Sequence, residues 1–153
     1  KPTPPEITSV MRVGDTLSIT FDQAIDWNYL DKNHDGKLAI GSELIVGAKG
    51  EWQADVTTTT TNNNITITTT EQKTIPMTNP LGDKPIAIVP LDAQGKILHS
   101  GQLVIKLDSN ADLIKKSDFN DDGIPDIPKL IEVNVIGVKD LDGQIGDAHF
   151  TLS

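Results

Sequence analysis

The sequence predicts an all-β protein built as an antiparallel β-sandwich, and three observations support this prediction. Apolar and polar residues alternate over several short runs, as they do in half-buried strands. Clusters of Gly, Asn, Asp and Pro separate these runs, as turns between strands do. A helical repeat of apolar residues is weak throughout the chain. About eight short strands at such spacing are typical of two packed antiparallel sheets.

The strands are justified by their residue types and by the turns that bound them. In the second strand, Leu17, Ile19 and Phe21 alternate with polar residues after a Gly-Asp turn. Two Thr-rich runs flank three consecutive Asn residues, which predicts a hairpin at a sheet edge. At most one helical turn is expected near residues 25–30 and another near 112–116. The expected strands are residues 7–13, 17–21, 52–60, 65–70, 86–89, 103–107, 131–135 and 148–152.

Length and charge bound the domain organisation and the partners. The chain has 153 residues, which predicts one domain: a Pro-rich linker at residues 1–6 and a single sandwich module at 7–153. The formal net charge is −9, and no cluster of Lys and Arg is present to bind phosphates, so nucleic acid is not expected as a partner. No apolar run is long enough for a membrane-spanning segment. The chain contains no Cys, which excludes disulfides and thiolate metal sites.

Two acidic segments have the spacing of calcium loops, D-x-N-x-D-G, in which alternate oxygen side chains converge and Gly permits the sharp turn. In the first, Asp31, Asn33 and Asp35 supply side-chain oxygens and Lys37 supplies its carbonyl. The twelfth position, where a closing carboxylate is expected, is Ser42, and Glu43 follows one place later. We therefore predict that Glu43 closes the site. The alternative is a metal-free turn, because Asp, Asn and Gly also favour ordinary turns.

The second segment is the more regular of the two. Its expected calcium ligands are the side chains of Asp118, Asn120, Asp122 and Asp126 together with the carbonyl of Ile124. Repulsion among its carboxylates disfavours a compact turn unless a cation neutralises them. A solvated acidic turn is the alternative.

Two weaker acidic clusters have simpler interpretations. Asp108, Asn110 and Asp112 repeat the alternation without the Gly, and we expect them to cap a short helix rather than to bind an ion. The other cluster consists of Asp140, Asp142 and Asp147, and its Asp-Gly pair is typical of a hairpin turn. The sequence leaves open whether either group also binds metal.

Both ends of the chain resemble a known family. The opening PPEITSVMRVGDTLSITFDQAID and the closing VNVIGVKDLDGQIGDAHFTLS are similar to the first and last strands of bacterial immunoglobulin-like domains from S-layer proteins and large surface adhesins. The resemblance implies an immunoglobulin-like structural module at the cell surface or outside the cell, and it says nothing about a ligand. This chain is longer than a plain domain of that kind, and the extra length contains the two acidic loops, which we interpret as calcium-loop insertions. The first loop is similar to dockerin and EF-hand loops, and the second to thrombospondin type 3 repeats.

These observations predict a calcium-stabilised structural module whose partners are calcium and neighbouring domains of the same polypeptide. The alternative is a calcium-dependent adhesion module that binds a cell-surface glycan or protein. Trp27, Tyr29 and Trp52 flank the first loop and could form a platform for a sugar, but packing in the core is the expected use. No phosphate-binding loop, nucleophile elbow or His metal motif is present, so an enzyme is not expected.

Overall fold

A computed structural model describes residues 3–115 and 126–152 and confirms an all-β, antiparallel two-sheet sandwich. Across the described residues the elements, in chain order, are β1 (Ile7–Val13), β2 (Thr16–Ile25), α1 (Trp27–Leu30), β3 (Ile45–Asn62), β4 (Ile65–Pro76), β5 (Ile86–Ile88), β6 (Ser100–Lys106), β7 (Ile127–Lys139) and β8 (Ile145–Thr151). One sheet has the order β1-β2-β6-β5, and the other has the order β4-β3-β7-β8. Every pair of neighbouring strands is antiparallel.

The core lies between the two sheets and follows from the alternation in the central strands. In β2, Leu17 and Ile19 are fully buried and lie opposite Ile105 and Leu103 of β6, which are also fully buried. The intervening residues point away from the core, so the period of two in the sequence becomes one apolar face. Burial of each such side chain contributes roughly 1.5–3 kcal/mol relative to exposure. The facing sheet contributes Leu130, Val133, Val135, Val138 and Ala148 to the same cluster.

β7 departs from the simple alternation that the sequence predicts for residues 131–135. Val133 and Val135 are buried as expected, but Leu130 is buried and Ile131 is only half-buried. The register with β3 shifts at this point, because Lys49 pairs with Glu132 whereas Gly50 pairs with Leu130. A bulge of this kind inserts one residue and reverses the inward and outward positions beyond it. Alternation read from sequence does not account for such an insertion.

The Thr-rich hairpin forms where the sequence predicts it, and its strands are longer than expected. β3 and β4 pair continuously, from Glu51 opposite Pro76 to Asn62 opposite Ile65. The two-residue loop, Asn63 and Asn64, has φ values of +50° and +65°. Asn tolerates this left-handed conformation, which matches the twist of a tight hairpin. As predicted, β4 is an edge strand.

The helical content is small, as expected. α1 begins after Asp26, whose side chain accepts a hydrogen bond from the N–H of Tyr29 (3.3 Å). Residues 112–114 form a hydrogen-bonded turn where at most one helical turn is expected near 112–116, and residue 116 lies outside the described residues. Within the described ranges, no helix has the length and apolar character needed to cross a membrane.

Candidate metal site

The first acidic segment begins directly where α1 ends, and α1 is held firmly by the core. Trp27 is fully buried and donates its indole N–H to the carbonyl of Ser100 (2.7 Å). Its ring also meets Phe21 edge to face, with 5.7 Å between centroids. Leu30 is buried as well, and Asp31 is the residue that caps the C-terminus of the helix. The position of Asp31 is therefore fixed by packing.

From Asp31 the backbone curls around the side chains of its own acidic residues. Asp31 is 4% exposed, and its two carboxylate oxygens accept hydrogen bonds from the N–H groups of Asp35 (3.3 Å) and Gly36 (2.9 Å). The Asp35 carboxylate accepts the N–H of Lys37 at 2.9 Å. His34 and Gly36 have φ values of +56° and +77°, and this left-handed conformation produces the tight curl.

A second turn brings Glu43 back to the start of this loop. The carbonyl of Ala39 accepts the N–H of Glu43 (2.9 Å), and Gly41 adopts φ +99° within the same turn. The Glu43 carboxylate then accepts N–H groups from Lys32 (2.7 Å) and Ala39 (3.1 Å). This turn accommodates the additional residue that displaces the carboxylate from the twelfth to the thirteenth position.

Asp31, Asp35 and Glu43 consequently converge, with one carboxylate oxygen of each within 4.8 Å of the others. Asp31 is buried, Glu43 is half-buried and Asp35 is exposed. None of the ion pairs found among the described residues involves these three carboxylates. The hydrogen bond from the N–H of Lys37 is the main reason that the pKa of Asp35 lies below its ordinary value of 3.8. The cluster is thus a possible metal site made of oxygen ligands.

Two further predicted ligands of the first loop lie beside this cluster. Asn33 accepts the N–H of Asp35 (3.4 Å) and donates its amide to the Asp35 carboxylate (3.3 Å). Asn33 therefore positions Asp35 in this structure. Lys37 contributes its N–H to the same carboxylate, and the ligand role of its carbonyl stays a prediction.

A second acidic turn, which the sequence did not indicate as part of the site, faces the first loop. The Asp92 carboxylate accepts N–H groups from Gln94 (2.8 Å) and Lys96 (2.9 Å). A Cβ placed on Gly36 would lie 3.7 Å from the carbonyl oxygen of Gly95, so the two turns meet. Between them is an open cleft of about 500 Å³, lined by Asn28, Asp31, His34, Asp35, Gly36, Asp92, Gly95, Lys96 and Ile97. The Asp-x-x-Gly pattern at 92–95 indicates a turn, but it gives no indication of what the turn faces.

The predicted second calcium loop lies mostly outside the described residues. Four of its five predicted ligands lie outside the described residues, so their ligand roles stay predictions: Asp118, Asn120, Asp122 and Ile124. Asp126 is described and is buried, with 7% of its surface exposed. Among the described residues, Asp31, Asp35 and Glu43 are the group of acidic side chains close enough together to hold a metal.

The Asp108 group joins two loops instead of capping a helix. Asp108 accepts the N–H groups of Lys84 and Asn110, and Asp112 accepts the N–H of Asn79 at 2.9 Å. Gly82 is packed closely against this arrangement, because a Cβ there would lie 2.1 Å from a carboxylate oxygen of Asp108. These carboxylates connect residues 79–84 to residues 108–112.

Asp140 builds the hairpin turn that the sequence predicts at 142–143. Asp140 is 1% exposed, and one carboxylate oxygen accepts the N–H groups of Asp142 (2.9 Å) and Gln144 (2.8 Å). Its other oxygen is the buried side-chain polar atom that lacks a hydrogen-bond partner in the described part of the protein. Asp147 accepts the N–H of Gly137 at 2.9 Å. The turn interpretation of this group therefore agrees with the structure.

The aromatic residues near the first loop are divided between core and surface. Trp27 and Trp52 are buried, as expected, with 0% and 2% of their surfaces exposed. Tyr29 is 49% exposed, and the Lys139 ammonium lies 4.4 Å from its ring centroid. These three residues therefore do not form a common stacking platform.

Comparisons of this chain with models of protein families, with curated proteins and with solved structures find no match.

Proposed function

We propose that the protein is a calcium-stabilised structural module of the immunoglobulin-like kind, belonging to a secreted or cell-surface protein. The convergence of Asp31, Asp35 and Glu43 within 4.8 Å is the observation that carries this proposal. Three carboxylates held this close repel one another, and a divalent cation would turn the repulsion into attraction. The two-sheet sandwich supports the structural part of the proposal.

The chemistry of the ligand set favours calcium. The three converging side chains offer oxygen only, and the chain contains no Cys. Hard cations such as Ca²⁺, Mg²⁺ and Mn²⁺ prefer carboxylate and carbonyl oxygens, whereas zinc and copper favour sites that include imidazole or thiolate. Calcium takes six to eight oxygens in flexible geometry, which suits an irregular loop between a short helix and a strand. The Asn33 amide and the Lys37 carbonyl are the predicted additional ligands.

Calcium at this position would act mechanically. Residues 31–43 connect α1, anchored in the core by Trp27, to the start of β3. An ion shared by Asp31, Asp35 and Glu43 would fix both ends of this connection to each other. We propose that the resulting rigidity sets the geometry between this module and its neighbours in a longer surface protein.

A calcium titration tests the proposal. With a dissociation constant of about 10⁻⁴ to 10⁻³ M, typical of extracellular modules, ~10 mM calcium stabilises the folded state by about 1–3 kcal/mol. For a domain of this size we expect the melting temperature to rise by about 3–8 °C relative to protein in EDTA. Glu43→Gln is expected to abolish most of this rise, because it removes one of the three charges from the ligand set.

Glu6→Gln is the matched control, since Glu6 is exposed and lies outside the acidic loops. This variant should respond to calcium as the parent protein does. Magnesium, manganese and zinc are titrated in parallel to identify the ion. Equal melting temperatures in EDTA and in each of the four metals would refute the metal site, and a rise that persists in Glu43→Gln would place the ion elsewhere.

The cleft between the two acidic turns favours a second candidate function, calcium-dependent binding of a glycan or protein. Its volume of about 500 Å³ lies in the range of ligand sites, and Asp31 and Asp35 contribute to both the cleft and the metal cluster. An ion there could hold sugar hydroxyls, with Lys96 at the cleft wall as a further donor. Retention on a glycan array in calcium, its loss in EDTA and its reduction in Lys96→Gln would support this function. An absence of retention on any glycan in calcium would refute the glycan-binding form of this function.

A further inference from the structure

In the part of the chain that the structure describes, the tip of the β3–β4 hairpin, residues 57–70, extends beyond the other strands of its sheet. We refer to this segment as the ribbon. Among the described residues, β7 pairs with β3 only as far as Gln53, whereas β4 continues to pair with β3 as far as Asn62. Every side chain of the ribbon is exposed. Two strands with both faces in water are marginally stable by themselves, so an additional strand would stabilise the ribbon.

The ribbon lacks the features that normally prevent an exposed edge from pairing. Proteins protect such edges with charged residues, Pro, bulges or very short strands. Residues 56–70 contain no charged residue, no Pro and no Gly, although the whole chain has 35 charged residues, that is 13 basic and 22 acidic. Thr and Ile dominate the segment and favour extended backbone. β4 pairs with β3 along residues Glu51–Asn62 of β3 without a register shift.

We propose that the open edge of β4 in the ribbon pairs with the same edge of a second copy of this chain. Each chain carries a formal net charge of −9, so two copies repel each other over most of their surfaces. The ribbon is uncharged and about 20 Å long at roughly 3.3 Å per residue. This length exceeds the screening distance of about 8 Å at physiological ionic strength. The ribbons can therefore pair while the acidic bodies remain apart.

The residues of the ribbon suit pairing with an identical strand. Within the hairpin, the hydroxyls of three cross-strand Thr pairs lie 3.1–3.4 Å apart: Thr57–Thr70, Thr59–Thr68 and Thr61–Thr66. Two identical antiparallel strands related by a two-fold axis pair residues of the same face. An axis at Thr68 places Thr68 opposite Thr68 of the second copy, and Thr66 opposite Thr70. The row of Thr side chains then continues across a four-stranded sheet, and no two like charges lie opposite each other.

Pairing of residues 66–70 in each copy gives a small interface, so we expect self-association with a dissociation constant between about 10 µM and 1 mM. Sedimentation velocity in EDTA, from about 20 µM to about 1 mM protein, measures this association without any contribution from a metal. Thr68→Lys is expected to weaken it at least about tenfold, because two Lys side chains then lie opposite each other. Thr59→Lys adds the same charge to the same face, but on β3, and should weaken it less than about twofold.

The absence of Cys from the chain allows a direct test of the register. Thr68→Cys places two thiols opposite each other across the axis, within the Cα separation that a disulfide allows. Mild oxidation at about 200 µM protein should give mainly disulfide-linked dimer for Thr68→Cys and little for Thr59→Cys. A protein that remains monomeric at about 1 mM overturns the proposal. Equal cross-linking of the two Cys variants also overturns it, because the edge of β4 would then not be the interface.

Discussion

Replacing Trp27 with Ala is expected to lower the free energy of unfolding by about 3–5 kcal/mol. Trp27 is fully buried, packs edge to face on Phe21 and donates its indole N–H to the carbonyl of Ser100. The substitution leaves a large cavity and removes the hydrogen-bond donor from this carbonyl. It also removes the anchor of α1, from which residues 31–43 continue. Urea denaturation followed by circular dichroism measures the loss.

Two further variants separate these contributions. Trp27→Phe keeps an aromatic ring but removes the N–H group, and we expect it to cost about 1–3 kcal/mol. Tyr29→Ala is the control from the same helical turn: Tyr29 is 49% exposed, so its loss should cost less than about 1 kcal/mol. If Trp27→Ala and Tyr29→Ala had similar unfolding free energies, Trp27 would not be the anchor of the loop.

The predictions from sequence succeeded where apolar residues at a regular interval determine which side chains are buried. Leu17 and Ile19 alternate with polar residues, and this pattern alone places them in the core. The first half of β3 was not predicted, because Gly47 and Gly50 interrupt its apolar pattern. Its place between β4 and β7 depends on partners elsewhere in the chain, and no local pattern contains that information.

The candidate metal site was predictable from sequence only where its residues belong to one local pattern. Asp31 and Asp35 belong to one short motif, so their convergence follows from the local turn. Glu43 depends on how many residues the following turn absorbs, and the turn that contains Gly41 absorbs one more than a regular calcium loop does. The facing turn at Asp92 lies about sixty residues further along the chain, and only the packing of the sandwich brings it close.

Replacing Asp31 with Asn is expected to remove the calcium-dependent rise in melting temperature and also to destabilise the protein in EDTA. Asp31 is 4% exposed, and both of its carboxylate oxygens accept backbone N–H groups. Asn keeps one acceptor oxygen and places an NH₂ group against a second donor, so we expect a loss of about 1–3 kcal/mol without metal. With calcium, the variant also lacks one of the three converging charges. Thermal denaturation with and without calcium measures both effects.

Asp140→Asn is the matched control, because Asp140 is equally buried and also holds two backbone N–H groups in a tight turn. Within the described part of the chain, it belongs to no group of three or more acidic side chains close enough to share an ion. One Asp140 oxygen accepts both N–H groups and the other has no hydrogen-bond partner, so Asn can keep both bonds. Asp140→Asn should therefore lose less stability in EDTA than Asp31→Asn and keep the full calcium response. If Asp31→Asn also kept that response, Asp31 would serve only to build its turn. If both variants lost the calcium response, destabilisation rather than a missing ligand would explain that loss. Only the contrast between the two variants identifies Asp31 as a metal ligand.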